Sequence, residues 1–243
     1  MNLDLLYRDN FLVIINKPSG LLVHKSEVDK HETQNAMHLL RDQLGQWVYT
    51  AHRIDKPTSG ILVFALDQAT ARMMTAVFTT KQVVKKYLAV VRGYTPELAT
   101  IDHPLKVRYD RTTDRKARTD KPPQAATTTY KRLATVELPF AVGRYSTARY
   151  SLIEAQPLTG RNRQIRRHMK HIFHPIIGDT SHGDGKHNDF FREQFQCHRL
   201  LLHAHQLQFK HPHTGEMLTV HAPLDQPFSG LLKKLDFPIP TPN

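Results

Sequence analysis

Apolar residues in the first quarter of the chain form two short runs and one periodic segment. The run over residues 11–15 is rich in β-branched side chains and is followed by Asn-Lys-Pro-Ser-Gly at 16–20, which predicts a buried strand ending in a turn. The run over 61–65 predicts a second buried strand. Apolar residues from Ala36 to Leu44 recur at helical spacing, and Gly45 is placed to end that helix.

A second helical segment follows between residues 69 and 78, where Ala69, Met73, Ala76 and Val77 share one face. We expect Met73 and Met74 to fill the core. Residues 25–33 are charged and predict a loop.

The remaining chain alternates between strand-like and helical patterns. Five segments predict strands, at 85–91, 127–136, 147–155, 198–213 and 217–221. A short helix is predicted near Leu231 and Leu232. Because strands and helices follow one another irregularly, without a repeating βαβ order, the pattern predicts one α+β domain over 1–243.

Residues 164–170 predict a short helix with Ile165 and Met169 facing the core. Cations dominate this region, and we expect four of them along the helix surface: Arg163, Arg166, Arg167 and Lys170. A run of cations without acids repels itself, so an anion is expected nearby, either phosphate or Asp55.

The overall charge points to a polyanionic partner. Lys and Arg outnumber Asp and Glu by 34 to 22, a formal charge of +12. No basic amphipathic helix favours a membrane surface, so nucleic acid is the better prediction, although charge cannot separate RNA from DNA. The single Cys197 excludes an internal disulfide and fits a reducing compartment. With no signal peptide and no apolar run near the roughly 20 residues of a membrane span, we expect a cytoplasmic protein.

Residues 106–121 predict a long exposed loop, closed by two prolines at 122–123. The loop contains three acidic residues, Asp110, Asp114 and Asp120. It contains seven cationic residues: Lys106, Arg108, Arg111, Arg115, Lys116, Arg118 and Lys121. Such a loop is either simply solvated or contacts phosphate. The residues alone leave both interpretations open.

The chemically most informative stretch is 52–60, His-Arg-Ile-Asp-Lys-Pro-Thr-Ser-Gly. Asp55 stands between Arg53 and Lys56, whose charges hold a carboxylate ionised. An ionised Asp at the start of a turn is a candidate nucleophile, but it can equally be a structural turn cap. Tyr87 has two interpretations as well, as a packing residue of a strand or as a stacking platform for a base.

Other site types receive little support. Among sixteen histidines, His203 and His205 share a strand face, but there is one thiol, no HExxH pattern, and His211 and His213 lie in a turn. A metal site is therefore not predicted. Phosphate-binding glycine loops and a nucleophile elbow are missing from the sequence. A glycosidase or nuclease needs a second suitably placed acid, and none is marked.

Residues 52–60 resemble the catalytic signature of the RluA-type pseudouridine synthases, with Ile54 in place of Leu. Four more blocks agree in order, so the resemblance extends over about four-fifths of the chain. These blocks are residues 16–24, residues 86–93, residues 159–168, and residues 201–204 with 211–216.

The resemblance implies a catalytic domain with a mixed, largely antiparallel central sheet flanked by helices and loops, with a family core at about 8–222. It also implies an isomerase that converts a uridine of structured RNA to pseudouridine, without cofactor or metal. We expect the chain to begin directly with the catalytic region, without an S4-type RNA-binding domain, and this expectation favours tRNA over rRNA as the partner. An RNA-binding protein without enzymatic activity is the alternative of a different class. Neither a membrane nor a protein partner is implied, and we expect a monomer.

The same resemblance implies roles for five residues. Asp55 is the catalytic residue, and Arg53 fills the stack that the flipped uridine leaves. Tyr87 stacks on the flipped uracil. Arg166 pairs with the catalytic Asp, and Ile165 lines the pocket. Arg163 departs from the family pattern, which usually has His there.

Overall fold

The computed structural model describes residues 2–24, 34–80, 82–107 and 122–240. The predicted loop at 25–33 and the predicted basic loop at 106–121, apart from residues 106 and 107, lie outside these ranges. None of the helices in the described ranges is long and apolar enough to cross a membrane.

The described residues form ten strands and five helices. The strands are β1 (Asp4–Arg8), β2 (Leu12–Lys17), β3 (Tyr49–Thr50), β4 (Ser59–Ala65), β5 (Val84–Arg92), β6 (Leu98–Asp102), β7 (Thr127–Leu138), β8 (Ala148–Pro157), β9 (Leu202–Lys210) and β10 (Met217–His221). The helices are α1 (Ala36–Leu44), α2 (Gln68–Thr79), α3 (Gln164–His171), α4 (Gly185–Phe195) and α5 (Gln226–Lys234).

The chain divides into two compact units, each assembled from three segments. The first contains Met1–Lys85, Pro104–Ala125 and Gln206–Pro223. The second contains Lys86–His103, Ala126–His205 and Leu224–Asn243.

In the first unit the strand order is β1-β2-β4-β9, with β3 beside β4 and β10 beside β9. Every residue of β4 is buried, which explains why this strand is a continuous apolar run rather than an alternating one. Strands β2 and β4 are antiparallel, and their register sets Lys17 opposite Gly60. This register brings the turn at 16–20 and the signature stretch at 52–60 to the same end of the strand pair.

In the second unit the order is β5-β8-β7-β6, with the first residues of β9 next to β5. Helix α3 contacts β7 and β8, and its apolar residues Ile165 and Met169 join a buried cluster with Ala89 and Ile153. Helices α4 and α5 add Phe191 and other apolar side chains to a second cluster.

Most predicted elements are confirmed. Helix α1 ends at Gly45, which has a φ of 67° and donates its backbone N–H to Arg41 O, the usual glycine stop of a helix. The α+β class and the largely antiparallel pairing are confirmed as well. The prediction of a single domain over 1–243 stays a prediction.

Two details of the helix faces were wrong. Met74 is fully buried as predicted, but Met73 is 38% exposed, because α2 buries the face that carries Thr70 and Met74 instead. Arg166 was expected on the surface of α3 and is only 3% exposed. Helix α4 was not predicted, although Asp184 is a typical N-cap that accepts from the backbone N–H of Lys186.

Candidate active site

The signature stretch forms the connection between β3 and β4 in the first unit. Ile54 is buried in the same cluster as Leu62 and Phe64, so it anchors the connection to the core. On either side of it Arg53 is exposed and Asp55 is half-buried. The backbone N–H of Thr58 donates to Asp55 O at 3.0 Å and closes the turn that follows the carboxylate.

A buried lysine holds the chain directly after Asp55. Lys17 is fully buried, and its Nζ donates to the carbonyl oxygens of Pro18 (2.8 Å), Leu21 (2.8 Å) and Lys56 (3.0 Å). Burying an ammonium group is costly unless its donors are satisfied, and these three bonds match its three donors. Lys17 therefore connects the turn at 16–20 to the signature stretch.

Two more hydrogen bonds strengthen this connection. The backbone N–H of Gly20 donates to Lys56 O at 2.9 Å, and Ser19 Oγ donates to Pro57 O at 2.7 Å. At the start of β4, Gly60 has a φ of 104°, which a residue with a Cβ rarely adopts. The backbone directly after Asp55 is thus held by hydrogen bonds from the turn at 16–20.

His52 is half-buried in the first unit. Its ring stacks on Phe78 at 4.6 Å and 12°, and its Nδ1 accepts from the backbone N–H of Val63 at 3.4 Å. Burial, with the charge of Lys85, lowers the pKa of His52 to about 3. His52 is therefore a neutral packing residue at physiological pH, and the candidate chemistry rests with Asp55.

Tyr87 and Ile165 belong to the same apolar region of the second unit. Tyr87 lies on β5 opposite Ala155 of β8, and it packs against the buried cluster that contains Ile165 and Met169. Its side chain is half-buried. A partly accessible aromatic ring that packs on an apolar cluster is suited to receive a planar base.

Arg166 makes a buried ion pair that was not predicted. Its Nε and Nη2 donate to Asp179 Oδ2 and Oδ1, both at 2.7 Å, in a bidentate arrangement. Asp179 is 2% exposed, and its Oδ1 also accepts from the backbone N–H groups of Ser181 and His182 at 2.9 Å. Burial by itself would raise the pKa of Asp179, but the hydrogen bond and charge of Arg166, with the two N–H groups, hold that pKa below its ordinary value.

Asp179 is thus the anion that the structure places on this cationic helix, where phosphate or Asp55 was expected. The available signal in the sequence was its position, since it is the first acidic residue after Glu154. Asp55 and Arg53 belong to the first unit, whereas Tyr87, Ile165 and Arg166 belong to the second. The pairing of Arg166 with Asp55 stays a prediction.

The histidines that suggested a metal have other contacts. His205 Nε2 lies 3.0 Å from Glu154 Oε2, and His211 Nε2 lies 3.0 Å from Asp9 Oδ2. Within the described ranges no group of three or more His, Cys, Asp or Glu residues is arranged to hold a metal ion.

The fold is that of a known class. The sequence model of the RNA pseudouridylate synthase family matches residues 11–171, so the chain belongs to this family. A solved human structure, RNA Pseudouridylate Synthase Domain Containing 4, is 27% identical with a TM-score of 0.73, and the match covers 98% of this chain and 95% of that one.

Two bacterial relatives match nearly the whole chain. The tRNA pseudouridine synthase C of Vibrio cholerae is 50% identical over 232 residues, which cover 96% of this chain and 95% of the relative. The tRNA pseudouridine synthase C of Pasteurella multocida is 49% identical over 237 residues, 98% of either chain. The family assignment from the five motif blocks is therefore confirmed.

Proposed function

We propose that the protein converts a specific uridine of tRNA to pseudouridine, with Asp55 as its catalytic residue. The observation that carries the proposal is the position of Asp55, half-buried in a connection whose following residues are held by the buried Lys17 ammonium. The tRNA substrate is supported by the names of the two bacterial relatives, each about half identical to this chain.

The reaction is an isomerisation that needs a nucleophile or a base, and a binding pocket that holds the detached uracil while it rotates. The bond between C1′ and N1 breaks, the base rotates, and C5 joins C1′ while its proton leaves and N1 gains one. Asp55 serves either as the nucleophile or as the base on the sugar. The formula of the nucleotide does not change, so no electron acceptor is involved.

The uridine has to leave its stack before it reaches a carboxylate, at a cost of a few kcal/mol. The exposed Arg53 beside Asp55 fills the vacated position. The flipped uracil stacks on Tyr87, with Ile165 beside it. The family resemblance pairs Arg166 with the catalytic carboxylate, and its two bonds to Asp179 fix the orientation of its guanidinium group. The protein acts as a cytoplasmic monomer, as one catalytic domain, without a protein partner.

The deciding experiment compares wild type with Asp55→Asn on unmodified tRNA transcripts. We expect pseudouridine only with wild type, whereas both proteins bind the transcript with similar affinity. Mapping of pseudouridine in tRNA and rRNA from cells that lack the protein then identifies the substrate. Turnover by Asp55→Asn would refute the catalytic role, and a site lost from rRNA alone would refute the tRNA substrate.

Arg53→Ala tests the flipping role separately. Because Arg53 is proposed to stabilise an empty stack, we expect turnover to fall more on a paired uridine than on the same uridine opposite a mismatch. Single-turnover rates on the two transcripts measure this ratio. Equal losses on both transcripts would contradict the assignment of Arg53.

A further inference from the structure

The residue that ends helix α3 is unusual in both its backbone and its side chain. Phe173 has a φ of 65°, in the left-handed region. Its N–H donates to Lys170 O at 3.0 Å, and the N–H of His174 donates to Met169 O at 2.9 Å. This pair of bonds is the Schellman ending of a helix, in which the left-handed position is usually glycine because a Cβ is unfavourable there.

The side chain of Phe173 does not compensate for this backbone conformation by packing. It is 79% exposed, the most exposed large apolar side chain in the described ranges. The preceding Ile172, by contrast, packs against the buried cluster of the second unit. Since folding would be served at least as well by glycine, the phenyl ring is best explained by a contact that it makes on the surface.

The stretch of sequence that contains Phe173 is cationic. Between Glu154 and Asp179 the sequence has no acidic residue, and Asp179 is itself paired with Arg166. Arg167 and Lys170 are one helical turn apart, so they lie on the same side of α3. Among the described residues, neither Arg163 nor Lys170 has a carboxylate partner.

We propose that Phe173 and the cations Arg163, Arg167 and Lys170 form an RNA-binding surface, on which an unpaired nucleobase stacks on the Phe173 ring while phosphates of the same strand contact the cations along α3. Every base offers a flat face to an aromatic ring, and the phosphates of a nucleic acid are attracted to a group of cations. A protein partner would more readily match an exposed Phe without such a charge excess. The choice of RNA as ligand rests on the proposed function.

Three substitutions of Phe173 separate stacking from apolar contact and from backbone strain. Phe173→Tyr keeps a ring, Phe173→Leu keeps apolar bulk and the same backbone strain, and Phe173→Gly removes both ring and strain. Each is made in the Asp55→Asn background, and its Kd for a single-stranded oligouridylate and for a blunt-ended RNA duplex is measured. Binding is read without turnover, so failure of the proposed reaction would not affect the outcome.

We expect Phe173→Leu and Phe173→Gly to weaken binding of the single strand about 5- to 150-fold, and the duplex much less, while Phe173→Tyr binds like the parent. The Tm of Phe173→Gly should be no lower than that of the parent. The matched control is Gln196→Gly, since Gln196 ends α4 at a φ of 56° and is exposed. It should leave both affinities unchanged.

The cations are tested by salt dependence. Lys170→Gln should reduce the slope of log K against log salt by about 0.7 for a single strand, if Lys170 contacts one phosphate. The proposal is overturned if Phe173→Leu binds the single strand as tightly as the parent. It is also overturned if Phe173→Leu instead loses affinity for anionic phosphatidylserine vesicles while RNA binding is unchanged, which would indicate a lipid surface.

Discussion

Each of the two units buries one cation of the candidate site region, Lys17 in the first and Arg166 in the second, but the partners of the two charges differ. Lys17 Nζ donates to three neutral carbonyl oxygens of the backbone, whereas Arg166 is held by the ionised carboxylate of Asp179. The first arrangement ties three pieces of backbone together. The second fixes the orientation of one planar side chain. The difference shows that a buried positive charge can position either a loop or a single functional group.

The largest effect should come from breaking the ion pair. Asp179→Asn leaves the Arg166 guanidinium buried beside a neutral amide, and removing one partner of such a pair is expected to lower the free energy of unfolding by about 3–5 kcal/mol. Urea unfolding measures this change. Turnover should also fall, because Arg166 loses its orientation.

The control for Asp179→Asn is Asp189→Asn. Asp189 forms an ion pair with Arg192 on α4, and both side chains are exposed. Such a pair contributes about 1 kcal/mol or less. Similar losses of unfolding free energy in the two variants would mean that the buried Arg166–Asp179 pair stabilises the fold no more than a surface ion pair does.

A smaller effect is expected at Lys17. Lys17→Met keeps the length of the side chain but leaves the half-buried residues Pro18 and Leu21 without this donor to their carbonyl oxygens, which lowers the free energy of unfolding by about 1–3 kcal/mol. Turnover should fall much more than affinity for tRNA, since the backbone after Asp55 is no longer held. Equal losses in turnover and affinity would argue that Lys17 supports the unit as a whole.

The smallest expected effect is a difference in how the stabilities of the Asp179→Asn and Lys17→Met variants depend on pH. The folded pKa of Asp179 lies below its unfolded value, so its contribution is complete above about pH 4 and is lost as the pH falls through the folded pKa. The stability difference between wild type and Asp179→Asn should therefore narrow below about pH 4. The corresponding difference for Lys17→Met should stay constant, because carbonyl oxygens do not titrate. A parallel change in both would contradict this comparison.

Local patterns predicted most elements because their causes are local. The spacing of Ile165 and Met169 predicted that both lie in the core, as observed. Gly45 was predicted to end α1, and it does so in a left-handed conformation that favours glycine. The same local reasoning failed at Arg166, because charge alone assigns an arginine to the surface. Its burial depends on Asp179, which lies 13 residues further along the chain.

The sequence by itself determined the family, the α+β class and the stretch that contains Asp55, since these follow from motif spacing and apolar periodicity. Only the tertiary structure decided which groups meet. The register of β2 and β4 brings Lys17 beside the residues after Asp55. The connection between α3 and α4 brings Asp179 to Arg166. The physical reason is that a buried charge is tolerated only where the fold supplies its partners, and those partners come from distant parts of the chain.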